Sequence, residues 1–352
     1  MLSLLLPLDA RAFQEPASAI QKGCEAALSL SSSGTRLDIA RTNADPGGIT
    51  AAWTAAAERG AALIIGPLTR DAVSALAAQL ARSPLNRVSF PGSATSSTIA
   101  RPPVTIALNA PEEAGALPLR FYTFGLLMEQ EARAVARMAW ADNARNAYVV
   151  QAAHALARRT SQAFAAEWQA LGGRIIDSED IAPVDAAGEA ASLAGRLKSR
   201  LARGEVDMVF LSADGADARR VRPYLGSTVA VYATSMVNDA RQYPGANVDL
   251  LGIRFVDMPW MMQADHPAVM VYPRPEYATP DLQRFHALGI DACRMAEALL
   301  QGRTRIELDG VTGRLQLDIP ADGSGVAIQR EPLMGIYADP VARPPASDSV
   351  SP

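Results

Sequence analysis

The sequence predicts an α/β protein of two lobes, each a doubly wound, mostly parallel sheet. Three observations lead there. The chain has 352 residues, more than the roughly 250–300 that one hydrophobic core organises, so two lobes are expected. Short apolar strand patterns alternate with helical patterns of ten or more residues, the mark of βαβ units and parallel pairing. The alternation then breaks once, near residues 109–119, and begins again.

Leu2–Leu8 is an apolar run with the length of a buried strand. Pro16–Leu30 sets Ile20, Cys24, Ala27 and Leu28 on one helical face. Arg36–Arg41 alternates, with Leu37 and Ile39 inward. Ile49–Arg59 reads as a helix closed by Gly60, and Ala61–Ile65 as a strand ending in Gly66-Pro67. A helix at Arg70–Arg82, a strand at Arg87–Phe90 ending in Pro91-Gly92 and a strand at Val104–Leu108 complete the first series. Asn109–Leu119, rich in alanine, proline and glutamate, marks a passage between lobes.

The second series runs helix Met128–Ala141, strand Ala147–Gln151, helix Ala155–Leu171 stopped by Gly172-Gly173, and strand Arg174–Ile181. Helix Gly188–Arg203, strand Val206–Ser212, helix Gly215–Leu225 and strand Thr228–Ala233 follow. After Thr234 the rhythm changes to a strand at Leu250–Val256 and a long helix at Leu282–Leu300. Gly313–Asp318 and Ala327–Tyr337 read as a hairpin turning at Asp322-Gly323. Residues 340–352 are rich in proline and serine and are expected to be disordered.

Two such lobes, a late return and a terminal hairpin fit the type I periplasmic-binding-protein architecture, with three inter-lobe crossings. These are expected near residues 109–121, 235–250 and 302–312. Lobe 1 is then residues 1–120 with 250–303, and lobe 2 residues 121–249 with 304–339. A Rossmann enzyme is the competing reading. No GxGxxG follows any strand, and Pro7-Leu8-Asp9-Ala10 follows the first.

The net charge of −4 argues against a nucleic-acid binder. MLSLLLPLDA lacks the basic start and cleavage site of a signal peptide and reads better as a strand. A strand opening almost at Met1 points to a segment upstream of it. No run of apolar residues is long enough to span a membrane, so attachment would go through an N-terminal lipid anchor.

Catalytic motifs are absent. His154, His266 and His286 are widely spaced, and no HExxH, GxSxG, SxxK or phosphate loop occurs. Structural or solvent-exposed roles are expected for the histidines, and exposed or helix-start positions for Glu112, Glu113, Glu129 and Glu131. With two cysteines and no CxxC, neither metal nor cofactor is implied.

Candidate ligand groups sit in loops at strand C-termini, the usual ligand position in α/β sheets. The first is Gly66-Pro67-Leu68-Thr69, leading into a helix whose start favours anions. The second is the hydroxyl-rich Pro91–Thr98, including Ser93, Thr95 and Ser96. Tyr232-Ala233-Thr234-Ser235 is the third. Hydroxyls and amides in such turns could clasp a carboxylate; the alternative is that they only cap helices. Asp9, Asp214 and Asp257 are the acidic groups available for an ammonium. Cys24 and Cys293 lie on apolar helical faces, which share one side of a 2-1-3-4-5 sheet if Leu282–Leu300 is the last helix of lobe 1. Two buried free thiols are the favoured reading, a disulfide the alternative.

Three phrases in Asp249–Leu317 carry a family resemblance: Gly252-Ile253-Arg254-Phe255 with Asp257-Met258-Pro259-Trp260, then Leu288-Gly289-Ile290-Asp291-Ala292, then Thr312-Gly313 with Leu315. Leu4–Leu8, Gly66-Pro67-Leu68, Leu171-Gly172-Gly173 and Tyr232–Ser235 support them. From Leu2 to about Tyr337 the chain resembles the LppC/LpoA family of outer-membrane lipoproteins, whose characterised members activate class A penicillin-binding proteins. The resemblance implies a non-enzymatic periplasmic regulator, lipid-anchored to the outer membrane, with a class A penicillin-binding protein as partner. Family members carry a helical, tetratricopeptide-like domain ahead of this fold; here the first strand opens the sequence. Asp257, Met258 and Trp260 are then either packing at a hinge or part of a partner surface or of the cleft lining. A periplasmic receptor for amino acids or related small ligands is the alternative function.

Overall fold

A computed structural model describes residues 1–43, 45–82, 102–113, 115–181, 195–196, 199–200, 203–240, 245, 247–338 and 341–343. The chain forms two units, Met1–Leu126 with Pro267–Arg330 (unit 1) and Leu127–His266 with Glu331–Pro352 (unit 2).

In unit 1, β1 (Leu2–Leu6), β2 (Leu37–Arg41), β3 (Leu63–Ile65), β4 (Val104–Ala107) and β5 (Phe121–Thr123) form a parallel sheet of order β2-β1-β3-β4-β5. Every residue of β1 is buried, which is why its sequence shows no alternation: a parallel strand covered on both faces is apolar throughout. Helices α1 (Gln14–Ser29), α2 (Pro46–Glu58) and α3 (Arg70–Arg82) connect the strands. Asp45 caps α2 by accepting from Gly48 N at 2.9 Å, with Pro46 beginning the helix.

The long helix α7 (Pro280–Leu300), which follows α4 (Met128–Ala141), α5 (Ala155–Ala170) and α6 (Gly215–Val221) of unit 2 in the chain, packs against α1. Two glycines permit the close approach. A Cβ on Gly23 would stand 2.0 Å from His286 O, and one on Gly289 would stand 2.1 Å from Ile20 O. Beside them Cys24 and Cys293 are joined in a disulfide, their Cα atoms 5.3 Å apart. The favoured reading of two free thiols is thereby corrected: once both glycines let the helices touch, the facing cysteines fall within bridging range. Strands β11 (Arg305–Asp309), β12 (Arg314–Asp318) and β13 (Gln329–Glu331) form a separate small sheet.

Unit 2 holds a sheet of order β15-β14-β10-β9-β8-β6-β7. Its strands β6 (Asn146–Ala152), β7 (Arg174–Ile181), β8 (Met208–Ser212), β9 (Ala230–Ala233) and β10 (Ile253–Asp257) pair in parallel. The edge strands β14 (Leu333–Ala338) and β15 (Val341–Arg343) add antiparallel. Helices α4 (Met128–Ala141) and α5 (Ala155–Ala170) pack on one face, where Phe164 stacks on Phe210 at 4.1 Å and on Trp168 at 5.5 Å. The other face carries α6 (Gly215–Val221) and the 3-10 turn Arg222–Leu225.

Several boundaries differ from the sequence reading. The chain passes between units after Leu126, His266 and Arg330, later each time than the expected 109–121, 235–250 and 302–312. Residues 250–303 were assigned to lobe 1, yet β10 pairs with β9, and Phe255 stacks on Tyr337 of β14 at 4.8 Å. The strand therefore completes the sheet of unit 2. Residues 304–339 were assigned to lobe 2, but β11 to β13 belong to unit 1. The segment 302–312 is a strand and tight turn rather than a crossing, and β12 finds its antiparallel partner in β11. The single strand expected at Ala327–Tyr337 is split by Pro332, which cannot donate to a ladder. Val341–Arg343, expected within a disordered tail, pairs with β14; residues 340 and 344–352 lie outside the described residues, as do Arg87–Phe90 and most of Gly188–Arg203.

Candidate functional site

The loops at the carboxyl ends of the parallel strands are the candidate ligand positions in each unit. In unit 1, β3 ends at Gly66, whose φ of +112° and contact with Leu5 O, 2.1 Å from a hypothetical Cβ, exclude any side chain. The chain then passes through a cis Gly66-Pro67 bond to Thr69, whose carbonyl accepts from Val73 N at 3.0 Å and opens α3. Asn109, after β4, donates to Leu68 O at 3.1 Å and accepts from Ala110 N at 3.0 Å, which fixes the loop.

These loops border a pocket of about 480 Å³. Its walls include Phe13, Leu68, Leu108, Leu126, Phe285 and Leu288, with Thr69, Arg70 and Asn109 as polar groups. That is the composition of a small-molecule pocket, apolar walls with a few oriented polar atoms. Thr69 is thus placed in a candidate site, while Ser93, Thr95 and Ser96 lie outside the described residues. Sequence reasoning missed Phe13 and Phe285. Their available signal was position: Phe13 precedes α1 in the loop after β1, although an aromatic there is usually read as core.

In unit 2, Thr234 and Ser235 follow β9 and both are buried. Ser235 N donates to the Glu131 carboxylate at 3.0 Å, and Ser235 Oγ lies 3.8 Å from Met128 Sδ. Glu131 is itself only 2% exposed, so the expectation of an exposed helix-start charge is corrected: its carboxylate ties α4 to the loop after β9. Thr234 Oγ1 is buried with no hydrogen-bond partner among the described residues. It is the feature of this loop that the fold alone does not explain.

The three aspartates considered for an ammonium all have protein partners. Asp9 pairs with Arg41 at 2.6 Å. Asp214 caps α6, accepting from Ala216 N and Asp217 N at 2.9 Å. Asp257, at 0% exposure, accepts from Asn238 Nδ2 and Met258 N, both at 2.8 Å. Met258 and Trp260 are likewise buried, at 1% and 0% exposure. Neither side chain is presented to a partner, because the proline-started turn Pro259–Met262 directs both into the core. Both side chains are packed inside the fold.

The other signature phrases also have structural partners. Arg254 of β10 lies beside Tyr232 of β9 in register. Its guanidinium donates to Tyr232 Oη at 2.8 Å and to Asp142 at 2.7 Å, and Tyr232 donates to Asp142 at 2.5 Å. Burial, reinforced by the Asp142 carboxylate, pushes the Tyr232 phenol up to about 12, so it remains a donor. Asp291 of α7, at 0% exposure, accepts from Thr312 N at 2.7 Å, Thr312 Oγ1 at 2.6 Å, Val311 N at 3.2 Å and Arg294 at 3.0 Å. One carboxylate therefore holds the turn between β11 and β12. His286 faces α1, with Nδ1 3.0 Å from Tyr277 Oη. Burial, then the Lys22 charge, lower its pKa to about 4, which keeps the imidazole neutral. His154 accepts from Ala157 N and caps α5.

Penicillin-binding protein activator LpoA of Yersinia pseudotuberculosis is 27% identical over 324 residues, covering 80% of this chain and 46% of the relative. The chain thus spans about half the length of that curated relative. Among solved structures, the LpoA (YraM) C-domain from Haemophilus influenzae, a regulator of PBP1A, matches with a TM-score of 0.76 at 21% identity. That match covers 98% of this chain and 99% of the other. A "putative branched-chain amino acid ABC transporter" from Chromobacterium violaceum matches with a TM-score of 0.73 at 31% identity, over 95% and 99%. These neighbours confirm the α/β periplasmic-binding-protein-like fold. The model of one family, described as "LppC putative lipoprotein", matches residues 1–331. The chain belongs to the LppC lipoprotein family.

Proposed function

We propose that this chain is the partner-binding part of an envelope lipoprotein that binds a class A penicillin-binding protein and activates peptidoglycan synthesis. The observation that carries the reading is the family match across residues 1–331, together with relatives named as penicillin-binding protein activators. Activation of this kind needs no catalytic group on the regulator. Binding favours the active arrangement of the synthase to the extent that affinity for the two arrangements differs. Among the described residues no helix is long and apolar enough to cross a membrane. We place the chain in the periplasm, held to the outer membrane by a lipid on the N-terminus of the full-length protein.

A second reading, a receptor for amino acids or related small ligands, is favoured by the apolar pocket of unit 1 and the unpartnered Thr234 hydroxyl. The likeness to the Chromobacterium violaceum protein points the same way. In that reading Thr69 supplies a polar contact in the pocket of unit 1, and the Thr234 hydroxyl, without a described partner, is a separate candidate contact in unit 2.

Biolayer interferometry against the cognate synthase, paired with a thermal-shift screen of amino acids and muropeptides, separates the two. A ligand at 100 times its dissociation constant stabilises by about 2.7 kcal/mol. Synthase binding supports the regulator; a strong shift with an amino acid and no synthase binding would replace it with the receptor.

A further inference from the structure

Unit 2 carries an apolar cluster that neither its fold nor the strand C-terminal loops use. Tyr224, Val248 and Leu251 are 47%, 58% and 37% exposed. They belong to two turns that pack together, Arg222–Leu225 and Val248–Leu250 with its following residue. Gly252 then leads into β10, and the Arg222 turn precedes β9. The cluster therefore lies at the N-terminal ends of these strands, the opposite end of the sheet from Thr234, Ser235 and Asp257.

Arg222 lies within the cluster. Its guanidinium rests against Gly252, where a Cβ would come 3.2 Å from Nη2. Nη1 donates to Gly226 O at 2.7 Å, and Nε is buried without a partner among the described residues. No described carboxylate pairs with it, although Asp249 is exposed on the neighbouring turn. Arg219, Arg200 and Arg254 of unit 2 have carboxylate partners, whereas Arg222, like Arg145, donates only to carbonyls among the described residues. A half-buried guanidinium without a described anion, on turns that also expose a tyrosine and two aliphatic side chains, has the composition of an interface hot spot. Desolvation already lowers the Arg222 pKa, so an incoming carboxylate would meet a charge that water screens poorly.

We propose that this surface is where the protein partner docks, by a segment that sets an aspartate or glutamate between apolar side chains. The carboxylate accepts from Arg222, and the apolar residues cover Tyr224, Val248 and Leu251. The proposal rests on the regulator reading and names its contact surface. Because that surface is at the far end of the sheet from the ligand loops, a small ligand and the partner would not compete for the same residues of unit 2.

The test is interferometry of the chain against the cognate class A penicillin-binding protein at two salt concentrations. Wild type is compared with Val248→Glu, Tyr224→Ser and Arg222→Gln, with melting temperature as the folding control. Val248→Glu puts a charge on the exposed apolar turn without cutting into the core. It and Tyr224→Ser should weaken binding about tenfold or more at unchanged melting temperature. Arg222→Gln should also weaken binding and flatten its salt dependence. A Met270→Glu, Val271→Glu double variant alters the exposed apolar pair of unit 1 and should bind as wild type. Wild-type binding that Val248→Glu and Tyr224→Ser leave within about twofold would overturn this surface while leaving the regulator reading intact. Equal losses in the unit 1 control would also overturn it. No binding by wild type would overturn both.

Discussion

Replacing Asp291 by alanine should cost unit 1 about 4 kcal/mol. The side chain is fully buried and accepts from two backbone amides and a hydroxyl on the turn between β11 and β12, besides pairing with Arg294. Alanine leaves Val311 N–H, Thr312 N–H and the Thr312 hydroxyl without their acceptor. Each orphaned buried donor costs about 1–3 kcal/mol. The three share one turn and can relax together, so the sum falls short of additive. Breaking a buried ion pair from one side gives a similar figure, about 3–5 kcal/mol. For a unit of roughly 190 residues, about 2–4 °C is lost per kcal/mol, so the melting temperature should fall by about 10 °C. Differential scanning calorimetry reads this directly, and Asp291→Asn, which retains one carbonyl oxygen, should fall between. A drop below about 2 °C would refute the assignment of this carboxylate as the tie that holds the turn.

Changing Cys24 and Cys293 to alanine together should destabilise by about 5 kcal/mol in urea, since the bridge closes a separation of 269 residues; a loss under about 1 kcal/mol would contradict the loop-closure argument. His286 is neutral in the folded protein, with its pKa lowered to about 4, whereas the unfolded chain takes up a proton below about 6.5. Its contribution is therefore complete above pH 7 and is lost as pH falls, by about 2 kcal/mol at pH 5. His286→Gln should remove that part of the pH dependence in denaturation measured from pH 7 to 5, and an unchanged slope would contradict it. Thr234→Val removes a buried hydroxyl without a described partner and should be neutral or stabilising by about 1 kcal/mol. A loss of stability in the ligand-free protein would show that the hydroxyl is satisfied.

Local elements were largely legible from periodicity. Arg70–Arg82, Met128–Ala141 and Arg174–Ile181 occupy the residues their patterns indicated, because each has an amphipathic face or a glycine stop. What a pattern does not carry is the identity of the neighbour. Ile253–Asp257 reads as a buried strand in either unit, and only its pairing with β9 and β14 decides. Arg305–Asp309 is short and charged, with Ile306 its one fully buried residue, so it resembled a linker. The candidate site was less legible still. Thr69 and Thr234 were marked by their place at strand ends, and the structure gives the first a pocket and the second an unpartnered hydroxyl. Asp257 and Trp260, for which packing and a partner surface were both open as sequence, are fully buried, as is Asp291. Conversely, Arg222 has no motif around it, since an arginine without an anion is recognisable only when its surroundings are known.

The central claim is that this chain activates a synthase by binding it. The most direct measurement is the rate of glycan polymerisation and cross-linking by the cognate class A penicillin-binding protein as purified chain is titrated in. The expected result is a saturable rise whose half-maximum coincides with the dissociation constant from direct binding, and which Val248→Glu shifts to higher concentration. A rate unchanged at saturating complex would contradict the claim.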